Sequence, residues 1–168
     1  MSKHHRNRNW APAPQPLPED AHVIDNHTHV ASVVPFSQAM SHEAMEKGQG
    51  EVPVYSVDEL LEQAQKVGVE GVIDCGCELP NLMTAIDMAR EHPGTVHAAI
   101  AIHPNEAVLH GHRGAPGPDG LPIKYKPWHD IPFDEAMAEV HRLATTYPNQ
   151  VVAIGETGMD LFRTGEGS

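Results

Sequence analysis

Four short apolar runs recur along the chain, and each ends in a polar step. Val23-Ile24 leads into Asp25-Asn26-His27-Thr28-His29. Val69 to Cys75 is almost wholly apolar, as a strand covered on both faces should be. Val96 to Ile102 runs into His103-Pro104-Asn105-Glu106, and Val151 to Ile154 runs into Gly155-Glu156. Between these runs the period changes from two to that of a helix. Ser56-Val57-Asp58-Glu59 is a capping box, followed by the stripe Leu60, Leu61, Ala64 and Val67, with Gly68 as the stop. Leu79-Pro80-Asn81 opens a helix whose buried face is Leu82, Ala85, Ile86 and Ala89, closed by His92-Pro93-Gly94. Phe133 to Tyr147 carries Met137, Val140, Leu143 and Ala144 on one side. Met83, Met88 and Met137 are most simply core residues.

Strand, helix, strand, helix, strand, helix, strand is the order of an α/β fold whose crossovers suit parallel pairing. Every polar candidate falls at a strand's C-terminal end, where a (β/α) barrel builds its active site. Four strands are half of an eight-stranded barrel. Three stretches lack such periodicity. Residues 1 to 20 hold Lys3, Arg6 and Arg8 and then a proline-rich run, and read as a disordered or surface-draped arm in which His4 and His5 are incidental. Residues 33–55 read as a loop carrying a short helix, and residues 109–132, rich in Gly, Pro and His, as an inserted loop. Residues 21–168 then form one domain.

At 168 residues the chain has room for one real core. It has no apolar run long enough for a membrane span and no secretory signal. Cys75 and Cys77 lie two apart in one strand, which disfavours a bridge between them and suits a reducing, cytoplasmic setting near the core. The formal charge of −12 opposes simple electrostatic binding of nucleic acid. Any phosphodiester substrate would need metal ions to supply positive charge.

The period of two puts Asp25, His27 and His29 on one strand face, where two imidazoles can clamp a metal ion. With 13 histidines in the chain, chance alone yields roughly one His-x-His pair. The chain holds a second, His110-Gly111-His112, with no strand to orient it. The first pair gains weight from its apolar strand, from Asp25, and from the acidic strand end at Glu156. His103 stands at a third strand end, where capping a turn competes with lining a site.

Asp25-Asn26-His27-Thr28-His29, Ile102-His103-Pro104 and Ile154-Gly155-Glu156-Thr157-Gly158-Met159-Asp160, in this order on successive strands, resemble the TatD family of metal-dependent hydrolases, amidohydrolase-like TIM barrels. The resemblance runs from about Val23 to Arg163. Asn26 and Ala31 depart from the residues that the family more often carries. It implies that His27 and His29 hold one divalent ion and that Glu156 bridges it to a second. It further implies that Asp25 supports the strand behind them and that His103 and Asp160 shape the pocket. Zn, Mn, Mg, Co or Ni would suit these donors, and two ions are expected in a complete enzyme. The implied reaction is hydrolysis of DNA phosphodiesters by a two-metal mechanism. Family members continue for about four more strands, bringing two further metal-binding histidines and an aspartate. The chain therefore matches the N-terminal half of such an enzyme and is expected to be weak or inactive alone.

Two other readings stand beside this one. The first is a non-catalytic half-barrel that binds metal or a partner. The second is another amidohydrolase-like hydrolase, although a common bridging group there, a carboxylated lysine, is here replaced by Glu156. The partners expected are DNA or another phosphodiester, no membrane, and further copies of the chain through open sheet edges.

Overall fold

A computed structural model describes residues 16–49, 53–114 and 125–158. Four parallel strands, β1 (Val23–Thr28), β2 (Val69–Gly76), β3 (Val96–Ile100) and β4 (Val151–Ile154), form one sheet in the order β1-β2-β3-β4. Helices α1 (Val30–Glu46), α2 (Val57–Lys66), α3 (Leu79–Glu91), the four-residue α4 (Pro104–Ala107) and α5 (Phe133–Thr146) connect them. Sequential order with parallel pairing is that of a (β/α) barrel, and here the sheet is open.

The core lies between the central strands and the helices. Val72 of β2 and Val96, Ala98 and Ile100 of β3 pack with Leu82, Ala85, Ile86 and Ala89 of α3 and with Ala136, Val140 and Leu143 of α5. Leu82 and Ile86 are fully buried, each worth about 1.5–3 kcal/mol of transfer free energy. The three methionines read as core lie at its margin. Gly76 ends β2 where α3 comes closest, and a Cβ there would sit 2.7 Å from the carbonyl oxygen of Asn81. The outer strands are thinner in packing. Ile24, Val152 and Ile154 stay about half exposed.

Local signals act as the pattern predicts at α2. Ser56 Oγ accepts from Glu59 N–H while the Glu59 carboxylate accepts from Ser56 N–H, and Gly68 turns the chain at φ +96° just beyond the helix. Other stretches depart from it. The sequence suggests a loop carrying a short helix over residues 33–55, yet the helix there, α1, is 17 residues long and starts before it, at Val30. Its buried residues are Val30, Ser37 and Ala44, one of them polar, while Phe36 and Met45 face outward and Pro35 sits inside the helix. That composition hides the helical stripe. β3 ends at Ile100, so His103 follows it by three residues. Residues 1–15 of the proposed arm lie outside the described residues, and its end docks, with Leu17 N–H donating to the Val67 carbonyl.

The described parts of the 109–132 insertion, residues 109–114 and 125–132, are tied down by buried side chains. His129 is buried and bonds Glu106 Oε2 at 2.7 Å, while Tyr125 O–H donates to the carbonyls of Leu109 and His129. His110 is buried too, with its ring Nδ1 2.9 Å from the Ile131 carbonyl, whereas His112 faces solvent. This second His-x-His pair is thus split between core and surface. Residues 115–124 lie outside the described residues.

Candidate metal centre

β1 delivers its histidines through a bulge. Asp25 pairs with Val72 and Thr28 with Asp74, so three steps on β1 match two on β2. Bulges of this kind re-aim side chains beside functional sites. The strict alternation that would group Asp25 with both histidines is broken there. Asp25 Oδ1 instead accepts the His27 backbone N–H at 3.2 Å, bracing the strand end from behind.

His27 and His29 both turn toward Glu156, two residues beyond β4. His27 Nε2 is in close contact with Glu156 Oε1, and His29 Nε2 lies 3.8 Å from the same oxygen. The two imidazoles meet edge to face, 5.3 Å between centroids. Among the described residues these three are the group whose donor atoms, all within 4.8 Å of one another, are placed to hold a metal ion. The contact also reports the shape of the sheet. Strands about 4.8 Å apart would set β1 and β4 some 14 Å from each other if flat. Extended His and Glu side chains together reach about 9 Å. The sheet must curl, as a barrel wall does.

The donor set fits a divalent ion. A tetrahedral ion with bonds of about 2.0–2.1 Å spaces its ligand atoms about 3.4 Å apart, close to the 3.8 Å from His29 to Glu156. His29 also carries its proton on the right nitrogen. Its Nδ1 lies 3.3 Å from the Cys75 carbonyl, which only accepts, so the proton sits on Nδ1 and Nε2 keeps a lone pair toward the cluster.

His103, three residues beyond β3, both caps α4, by accepting the Asn105 N–H, and stands beside the same carboxylate. Its Nε2 is 3.2 Å from Glu156 Oε2. Asp160, the remaining candidate, lies outside the described residues.

Three contributors escaped the sequence reading. Asp74, buried on β2, accepts the Ala31 backbone N–H with its Oδ1 at 3.4 Å and so caps the start of α1 directly after His29. Burial pushes its carboxyl above the usual range, against the pull of the Ala31 and Val30 amides and of His29. Cys75 and Cys77, expected near the core, line the site instead. Burial and then the Glu156 carboxylate push the Cys77 thiol up to about 12, keeping it neutral. The only early signal was a run of Asp74, Cys75 and Cys77 at the end of an apolar strand. Beside the cluster a cleft of about 350 Å³ opens between α1 and α3, lined by His29, Ser32, Asp74, Cys77, Asn81 and Thr84 among others.

A four-stranded parallel sheet in sequential order, with polar side chains gathered at its C-terminal rim, is the arrangement of half a (β/α) barrel. The TatD related DNase family matches residues 24–168. The chain belongs to that family, a family of hydrolases. Among solved structures, a hydrolase TatD family protein from Entamoeba histolytica is similar in fold, with a TM-score of 0.55 at 18% identity. The match covers 84% of this chain and 39% of that one, so the chain spans well under half of that protein's length. No curated protein matches. Among the described residues, no helix is long and apolar enough to cross a membrane.

Proposed function

We propose that this chain carries the N-terminal half of a TatD-type, metal-dependent hydrolase site directed at the phosphodiester bonds of DNA. The observation that carries the reading is the meeting of His27 and His29 with Glu156 across the curled sheet. His27 and His29 hold a divalent ion through Nε2, and Glu156 offers a carboxylate oxygen to it. Asp25 on β1 braces the backbone at His27, and Asp74 on β2 holds the first turn of α1 just after His29. When bound, such an ion supplies Lewis acidity toward a phosphate oxygen and toward water, in a chain whose own net charge of −12 would repel the substrate.

Among the described residues, three donors suffice for one ion, and a two-ion displacement at phosphorus needs more. Weak turnover or none is therefore expected of residues 1–168 alone. The test is divalent metal content per chain after exhaustive dialysis, with His27→Ala and Glu156→Ala alongside and cleavage of a labelled oligonucleotide as a second readout. One equivalent that both variants lose supports the reading. Absence of metal from the wild type, or its retention in both variants, overturns it. Vigorous metal-dependent cleavage would refute the half-site part.

A further inference from the structure

Resting on that reading, we infer that His103 is a positioning residue for Glu156, one that stands against the carboxylate oxygen facing away from His27 and His29 and so keeps the other oxygen turned toward them. The argument turns on where the ring carries its proton. His103 caps the four-residue α4, and its Nδ1 accepts the backbone N–H of Asn105 at 3.1 Å. A backbone amide only donates, so Nδ1 is bare and the neutral ring is protonated at Nε2. That nitrogen lies 3.2 Å from Glu156 Oε2, and a carboxylate only accepts. The proton on His103 Nε2 therefore stands beside Glu156 Oε2.

His29 is wired the opposite way, with Nδ1–H given to the Cys75 carbonyl and a bare Nε2 toward Oε1. Two rings on one carboxylate thus take different parts. His29 presents a lone pair, and His103 presents a proton where a ligand would need a lone pair. The carboxylate is divided likewise, Oε1 toward His27 and His29 and Oε2 toward His103. The attraction of the His103 proton for Oε2, between side chains each about one-quarter exposed, opposes rotation of the carboxylate and keeps Oε1 on the histidines.

The experiment combines zinc titration against a chromophoric chelator with long-range nitrogen–proton spectra of the imidazoles, in metal-free and zinc-loaded protein. The wild type should take one zinc per chain, and His103 should keep its proton on Nε2 in both states. His103→Asn retains an oxygen for the Asn105 amide but has no donor at the Nε2 position. It should weaken zinc by about 10–100-fold, the usual effect of removing an outer partner of a ligand. His103→Gln returns an N–H near that position and should recover most of the loss. Zinc affinity unchanged in His103→Asn, or a His103 that carries its proton on Nδ1 or surrenders the Nε2 proton to zinc, overturns the assignment. If the wild type takes no zinc, the metal reading fails by itself, while the proton position and its response to Glu156→Gln still decide whether His103 holds the carboxylate.

Discussion

Gly76 stands where the sheet, α3 and the candidate site meet, and replacing it by alanine loads all three. The added Cβ would lie 2.7 Å from Asn81 O, 3.1 Å from Leu82 Cα and 3.2 Å from Asn81 C, all backbone atoms that no rotamer change can move aside. Restoring ordinary contact at 3.4 Å requires the first turn of α3 to retreat by about 0.7 Å. That turn carries Leu82, fully buried, with Ala85 and Ile86 above it. Overpacking of this kind costs about 1–3 kcal/mol. At about 2–4 °C per kcal/mol for a chain of this size, Gly76→Ala should melt about 2–12 °C below the wild type by circular dichroism. Because Gly76 lies between Cys75 and Cys77, zinc affinity should fall as well. Gly94→Ala is the comparison: the space there is open, and φ of +82° alone costs about 1–2 kcal/mol with no effect on zinc. A Gly76→Ala melt within about 1 °C of wild type would refute the close approach of α3 to β2.

Asp74→Asn keeps an oxygen for the Ala31 amide and removes a carboxyl whose value is raised by burial. The stability it contributes is fully present below its ordinary value near 3.8 and is lost as pH rises through the raised folded value. Melts of both proteins from pH 4 to 8 should show the variant gaining on the wild type as pH rises; a constant difference would contradict this. The outer strands make a third case. Among the described residues β4 pairs with β3 alone, and Val152 and Ile154 are each 52% exposed. Sedimentation should reveal self-association that grows with concentration and that Val152→Lys diminishes, whereas a monomer throughout would count against edge pairing.

The parts legible in the sequence are those governed by local chemistry. Ser56 and Glu59 announce α2, Pro80 announces α3, and the apolar runs announce β2 and β3, because capping and periodicity act within a few residues. His27, His29 and Glu156 could be named from their strand ends, yet their meeting depends on the curl of a whole sheet. The hidden features are non-local. The bulge between Asp25 and Thr28 is a matter of register with β2, the capping of α1 by Asp74 crosses from another strand, and α1 itself buries a serine on its inner side. The opposite protonation of His29 and His103 is set by a carbonyl at Cys75 and an amide at Asn105, neither of which a residue type reveals.

The cluster draws its imidazoles from the first strand and its carboxylate from beyond the last, so no shorter segment of the sheet can assemble it. Contacts so distant in sequence close late in folding, after the loops between them have been ordered. An ion captured there would arrive as a lock on a finished structure rather than as a nucleus for it. It would slow unfolding and leave the folding rate nearly unchanged.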